Sequence, residues 1–287
     1  MIVEQPTLPA FSLPKQQAQA HSAPSRRLEK AEREDNKLKM SDRAAHQWYR
    51  FVLSFPPHLV RDYAEKFGLN GRHQVLDPFC GTGTTVVECK KLGIRAVGLE
   101  SNPVACFASR TKVQWNIDPQ KLLRHALTFA DTANGRVGRD GYFEYDTQRL
   151  LERPVVKKAP LRTLPTEVTN LLLTNSISPL PLHKALVLLE ALAEHHDDRF
   201  VNHERLGLAT ALVNGISNLH FGPEVGVGQA KRDAPVVSLW LDGVKAMAQD
   251  LEILPRGETP EAVIYQAELD RNFIREQLGD VGGWGRP

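Results

Sequence analysis

Val75-Leu76-Asp77-Pro78-Phe79-Cys80-Gly81-Thr82-Gly83-Thr84-Thr85 decides the fold of this 287-residue chain. A short apolar strand runs into a turn with glycines at 81 and 83, where the backbone bends tightly and a side chain would block a ligand. Thr84 and Thr85 stand at the start of the next helix, whose free N–H groups and dipole suit a carboxylate or phosphate. Working outward, the pattern predicts a strand over Gln74–Leu76, a helix over Thr84–Leu92 and a strand over Ala96–Leu99 stopped by Glu100. Asn102-Pro103 then opens a helix running to about Thr111. Strand, helix and strand at this spacing form the βαβ unit of a parallel sheet, which places a ligand at the C-terminal edge of the strands. Glu100 lies 19 residues beyond Gly81, where an acid accepts both ribose hydroxyls of a nucleoside cofactor. No Gly-Lys-Ser/Thr follows the turn, which disfavours a phosphate-loop NTPase. Val86 occupies the third glycine position of the dinucleotide fingerprint, which argues against NAD.

Composition sets the frame for this unit. At 41% hydrophobic and 24% charged, with a formal charge of +2, the chain reads as an ordinary globular protein rather than a polybasic or acidic tail binder. Cys80, Cys89 and Cys106 form no Cys-x-x-Cys pair, which argues against a disulfide framework or a cysteine zinc site and fits a reducing cytoplasm. No apolar run approaches the roughly 20 residues that span a bilayer. Glu4 and the prolines at 6, 9 and 14 do not fit a signal peptide, so neither membrane nor export is expected.

Four segments follow. Residues 1–44 read as a proline-rich, then densely charged arm, and residues 45–118 as the α/β core. Within the core, Pro57 suits a first helical position, and a helix to Phe67 is expected to bury Leu59, Val60, Tyr63, Ala64 and Phe67. Residues 119–258 form a mostly helical insertion, with helices over Gln120–Ala130, Leu182–His195, His203–Leu219 and Val236–Leu254. Residues 259–287 return to a strand at Ala262–Tyr265 and end in a glycine-rich tail. His195-His196-Asp197-Asp198 is not read as a metal site, because adjacent helical residues point about 100° apart. Lys157, Lys158, Arg162 and Lys231-Arg232 lie among near-equal numbers of both charges and read as ordinary surface.

The nonapeptide Asp77–Thr85 resembles the S-adenosylmethionine motif of DNA methyltransferases that modify exocyclic amines of cytosine or adenine. Ser54-Phe55-Pro56-Pro57-His58-Leu59-Val60 is similar to the family's motif at the methionine end of the cofactor, and Glu100-Ser101-Asn102-Pro103 to its segment at the ribose. The resemblance covers roughly Ala45 to Arg110. The later Ser217-Asn218-Leu219-His220-Phe221-Gly222-Pro223 is similar to long-insert members. It implies an α/β, Rossmann-like class I methyltransferase sheet with a large helical insertion. It further implies S-adenosyl-L-methionine as cofactor, held by Phe55, Pro56, Asp77, Phe79, Gly81, Gly83, Thr84, Thr85, Glu100 and Asn102, and DNA as partner in a restriction-modification setting.

One part of the family pattern is missing. An Asp, Ser or Asn followed by Pro-Pro and an aromatic residue should accept the exocyclic amine while the flipped base stacks on the ring. The chain's Pro56-Pro57 sits upstream between Phe55 and His58, and no such tetrapeptide occurs. Val263–Glu268 matches the strand near the adenine, with Glu268 where the family more often has Asp. The resemblance therefore implies a cofactor-binding fragment or subunit, inactive alone, that is either a truncated product of a longer enzyme or completed by a second polypeptide, with no catalytic residue of its own. A tRNA guanine methyltransferase carrying a similar Asp-Pro-Phe-Cys-Gly-Thr-Gly-Thr string, and a non-catalytic subunit of the same fold, are the rival readings.

Overall fold

The structure is a computed structural model that describes residues 38–50, 54–144, 157–221, 224–255, 257 and 259–266, all in one unit. Pro57 supplies a preset φ at the first position of α1 (Pro57–Lys66). β1 (Gln74–Asp77) follows, then the glycine turn, α2 (Thr84–Lys91) and β2 (Arg95–Glu100). Asn102 caps α3 (Pro103–Lys112), its side chain accepting from the amides of Val104 and Ala105. Asp118 does the same for α4 (Pro119–Arg139), accepting from Lys121.

The helical block continues through the short α5 (Thr166–Thr169), α6 (Pro179–Glu194), α7 (Val201–Ala211) and a π-helical turn at Leu212–Ile216. An antiparallel hairpin follows, β3 (Leu219–Phe221) against β4 (Val225–Val227), then α8 (Val236–Ile253) and β5 (Ala262–Gln266). The main sheet has three parallel strands in the order β1-β2-β5, with Asp77 beside Gly98 and Glu100 beside Gln266. This is the Rossmann-like α/β arrangement expected, with the helical block inserted between the second and third strands of the sheet.

One continuous core joins the two parts. It includes Ile94 and Ala96 from the sheet unit and Leu122, Phe129, Trp240 and Leu251 from the helices. Directional bonds add to it: the Trp48 indole donates to Asp250 at 2.7 Å, and the Trp240 indole to the Glu204 carbonyl at 2.9 Å. A buried charge cluster fastens α2 to the chain before it. Glu88 accepts from His46 at 2.7 Å and pairs with Arg61 and Lys91, while Arg61 also reaches Asp42. Burial works against the Glu88 charge, but these donors outweigh it and hold its pKa at about 2. Burial likewise lowers His46 to about 4 despite its bond to Glu88, so the imidazole is neutral and donates to the carboxylate.

Two expectations are overturned. The apolar face of α1 is covered only in part: Ala64 is buried and the half-buried Val60 packs against the core, while Leu59, Tyr63 and Phe67 are exposed. The helix read over His203–Leu219 ends as an α-helix at Ala211, and Leu219 begins a strand. The hairpin's three-residue strands were too short to interrupt the helical periodicity.

Candidate cofactor site

The turn between β1 and α2 is shaped by two glycines with different duties. At Gly83, φ is +89° and an added Cβ would stand 2.8 Å from the Cβ of Ser109 on α3. The missing side chain therefore lets the two helices close together. At Gly81, φ is +52° and an added Cβ would meet nothing within 4 Å, so the backbone faces open space. Cys80, just before them, is buried, and burial pushes its thiol up to about 12, which makes it packing material and not a nucleophile.

Glu100 ties this turn to the following helix. One carboxylate oxygen accepts the Gly81 N–H at 2.8 Å and the other accepts the Asn102 N–H at 2.8 Å. Asp77 accepts the Phe79 N–H at 3.1 Å, which turns the chain so that the Phe79 ring stands 76% exposed. No side chain caps α2, so its first amides remain directed at the turn. All of this lies at the C-terminal ends of β1 and β2.

Residues 16–110 match the family described as DNA methylase (N6_N4_Mtase). This segment is similar to the amino-group DNA methylases. Among curated proteins, the chain is similar to the Type II methyltransferase M.BsoBI of Geobacillus stearothermophilus, 37% identical over 71 residues, which is 25% of this chain and 14% of that protein. M.MjaII of Methanocaldococcus jannaschii is 35% identical over 82 residues, 29% of this chain and 15% of that protein. M.AvaI of Nostoc sp. is 30% identical over 59 residues, 21% and 12% respectively. The matches thus span about a seventh of the length of these relatives. No solved structure matches the chain.

Within the methylase segment the structure gathers most of the residues singled out in the sequence. Gly81, Glu100 and Asn102 are joined by the two bonds to the Glu100 carboxylate. Phe55 lines a small cleft of about 10 Å³ together with Thr82 and Thr84, at the start of α2. Phe55 is 44% exposed, so it is not a core aromatic. Pro56 is buried beside it and Thr85 is half-buried. Glu268 lies outside the described residues.

Sequence reasoning missed Lys112. Its side chain is 2% exposed, lines the same cleft and donates to the Thr82 carbonyl at 2.9 Å. Among the described residues no acid pairs with it. Burial, helped by the nearby Arg50 charge, lowers its pKa to about 7. A lysine at the end of a helix normally reads as a dipole-compensating surface residue, so only the fold reveals it. A larger cavity of about 310 Å³, lined in part by Lys90, Trp115, Arg199 and Asn202, lies at the opposite end of the sheet. Asn218, in the stretch similar to long-insert family members, organises the hairpin. Its side chain bonds the Asn175 carbonyl, Ser178 and the Lys231 amide.

Proposed function

We propose that this chain is the cofactor-binding portion of an S-adenosylmethionine-dependent DNA methyltransferase acting on an exocyclic amine of cytosine or adenine in a restriction-modification setting. The observation that carries the reading is the Glu100 carboxylate bonded to the Gly81 amide at the C-terminal edge of a parallel sheet, inside the DNA methylase segment. The donor set suits a nucleoside with an amino-acid arm. Glu100 keeps lone pairs for ribose hydroxyls, Gly81 leaves room above the turn, and Phe79 offers an exposed ring. The uncapped amides of α2, with Phe55, Pro56 and Thr84 beside them, receive the amino-acid end.

S-adenosylmethionine, when bound, supplies a methyl group on a sulfonium. The chain's own residues orient it, and orientation is the principal catalytic term when an amine lone pair displaces a thioether in line. The amine then loses its proton to solvent. The 287 residues hold no Pro-Pro-aromatic motif, so on this reading they do not transfer the methyl group by themselves, and a continuation of the chain or a second polypeptide supplies the motif.

Two measurements test the reading. Millimolar sinefungin should shift the amide resonances of Gly81 and Asn102 in the isolated chain, and unmoved resonances would refute the site. Methyl incorporation into DNA and tRNA should be absent for the chain alone and appear on DNA only after a motif-bearing partner is added. Transfer by the pure chain would refute the division of labour, and transfer to tRNA would favour the rival substrate.

A further inference from the structure

A charged side chain gives up its hydration when buried, so a buried lysine is ordinarily matched by a carboxylate. Lys112 is not. It is 2% exposed at the end of α3, and its Nζ meets the Thr82 carbonyl at 2.9 Å and, among the described residues, no acid. The acids of the adjoining cluster are engaged elsewhere, Glu88 by His46, Arg61 and Lys91, and Asp42 by Arg61.

A second cation shares the cleft. Arg50 lines it with Lys112 and donates to the Ser54 carbonyl at 3.1 Å, and among the described residues it too has no acid partner. Its charge adds to burial in lowering the Lys112 pKa to about 7. His46, the other basic group on the wall, is neutral. No carboxylate lines the cleft, and the uncapped start of α2 at Thr84 adds the positive end of a helix. The fixed charges therefore favour an anion. A volume of about 10 Å³ suits a group near the size of one water molecule, so the cleft receives the end of a ligand and not a ring.

The geometry points to Lys112 and Arg50 as the pair that binds the α-carboxylate of the cofactor's amino-acid arm, leaving the nucleoside to Glu100 and Gly81. The inference rests on the reading of this segment as an S-adenosylmethionine site, and it gives the amino-acid end its counter-charge. The carboxylate is the one anionic group that S-adenosylmethionine carries. Seated beside Lys112, it favours the charged amine, so binding takes up a proton where the free lysine has lost one. Arg50 stays charged, and His46, held near 4, stays neutral above pH 6, so Lys112 is the group facing the cleft that titrates from about 7 upward.

The test is titration of the full chain with S-adenosylmethionine and with decarboxylated S-adenosylmethionine, read from the Gly81 and Asn102 amide resonances. The wild-type chain should prefer the carboxylate-bearing ligand by about 10–100-fold. Lys112→Met and, separately, Arg50→Gln should remove most of that preference and leave affinity for the decarboxylated ligand within about twofold. Affinity for S-adenosylmethionine should fall as the pH rises above about 7, by at most about tenfold per unit, and Lys112→Met should flatten this dependence. Circular dichroism reports whether each variant is folded, and Arg50→Gln, at a half-buried position, decides the matter if Lys112→Met unfolds the chain. Equal losses for both ligands would make the two residues mere struts of the turn, and equal affinity of the wild-type chain for the two ligands would leave the cleft without a carboxylate; either result overturns the proposal. If neither ligand moves the resonances of the wild-type chain, the cofactor reading itself fails and takes the inference with it.

Discussion

The two flanks of the parallel sheet are built to different standards. Toward β5 the structure is closed: β2 is buried, α3 packs on the sheet, and Arg110 donates to the Ile264 carbonyl at 2.8 Å. Toward β1, among the described residues, no further strand pairs and apolar side chains on both strand and helix are exposed. Both flanks come from one βαβ unit of similar composition. What separates them is whether later sequence folds back over the strand. The lesson is that an apolar stripe specifies a surface to be covered and says nothing about which polypeptide covers it.

Substitutions can break or sharpen this contrast. The largest effect is expected at the buried charge cluster. Glu88→Ala strands the donors of His46, Arg61 and Lys91 and should cost about 3–5 kcal/mol in urea unfolding. Because Glu88 has a lowered native pKa, its contribution is fully present above its ordinary value of 4.5 and is lost as the pH falls toward about 2. A wild-type acid-unfolding curve as flat as that of the variant would contradict this.

Leu99→Ala on β2 should cost about 2–5 kcal/mol, whereas Leu76→Ala on β1 should cost less than about 1 kcal/mol in the isolated chain. Equal losses would mean that the β1 flank is covered after all. The two glycines offer a finer comparison by the same denaturation assay. Gly83→Ala meets both a positive φ and the Ser109 side chain and should cost about 2–3 kcal/mol. Gly81→Ala meets only the positive φ and should cost about 1 kcal/mol. Ligand titration should show Gly81→Ala weakening sinefungin binding out of proportion to its effect on stability.

The last effect is a slope. The native pKa of Lys112 lies near 7 against an ordinary 10.5, so between those values the unfolded chain binds more protons than the native one. Stability should therefore rise with pH across that window, by at most about 1.4 kcal/mol per unit. Lys112→Met should remove that component, and an unchanged slope would show that Lys112 is charged in the native protein at neutral pH.

Much of the site was legible because its signals are local. Asp77, Gly81 and Gly83 mark a strand-turn-helix by residue type and spacing, and Asn102-Pro103 announces a capped helix start. The elements found at Gln74–Asp77, Thr84–Lys91 and Arg95–Glu100 differ by a residue or so from those expected. The facing of α1 was not legible, because its periodicity identifies an apolar stripe and burial depends on a distant surface. Lys112 and Glu88 were invisible for a related reason. A charged residue on a helix reads as solvated until another element lies over it, as the segment around His46 does over Glu88. The hairpin was hidden by length, since three residues per strand carry too little alternation to compete with the helical pattern of α7.

The Glu100 carboxylate, already clasped by amides on both sides, has a consequence for timing. A loop assembled before any encounter imposes no folding step on the incoming molecule. In stopped-flow mixing, the observed rate should then climb in proportion to nucleoside concentration, without the plateau that a gated pocket produces.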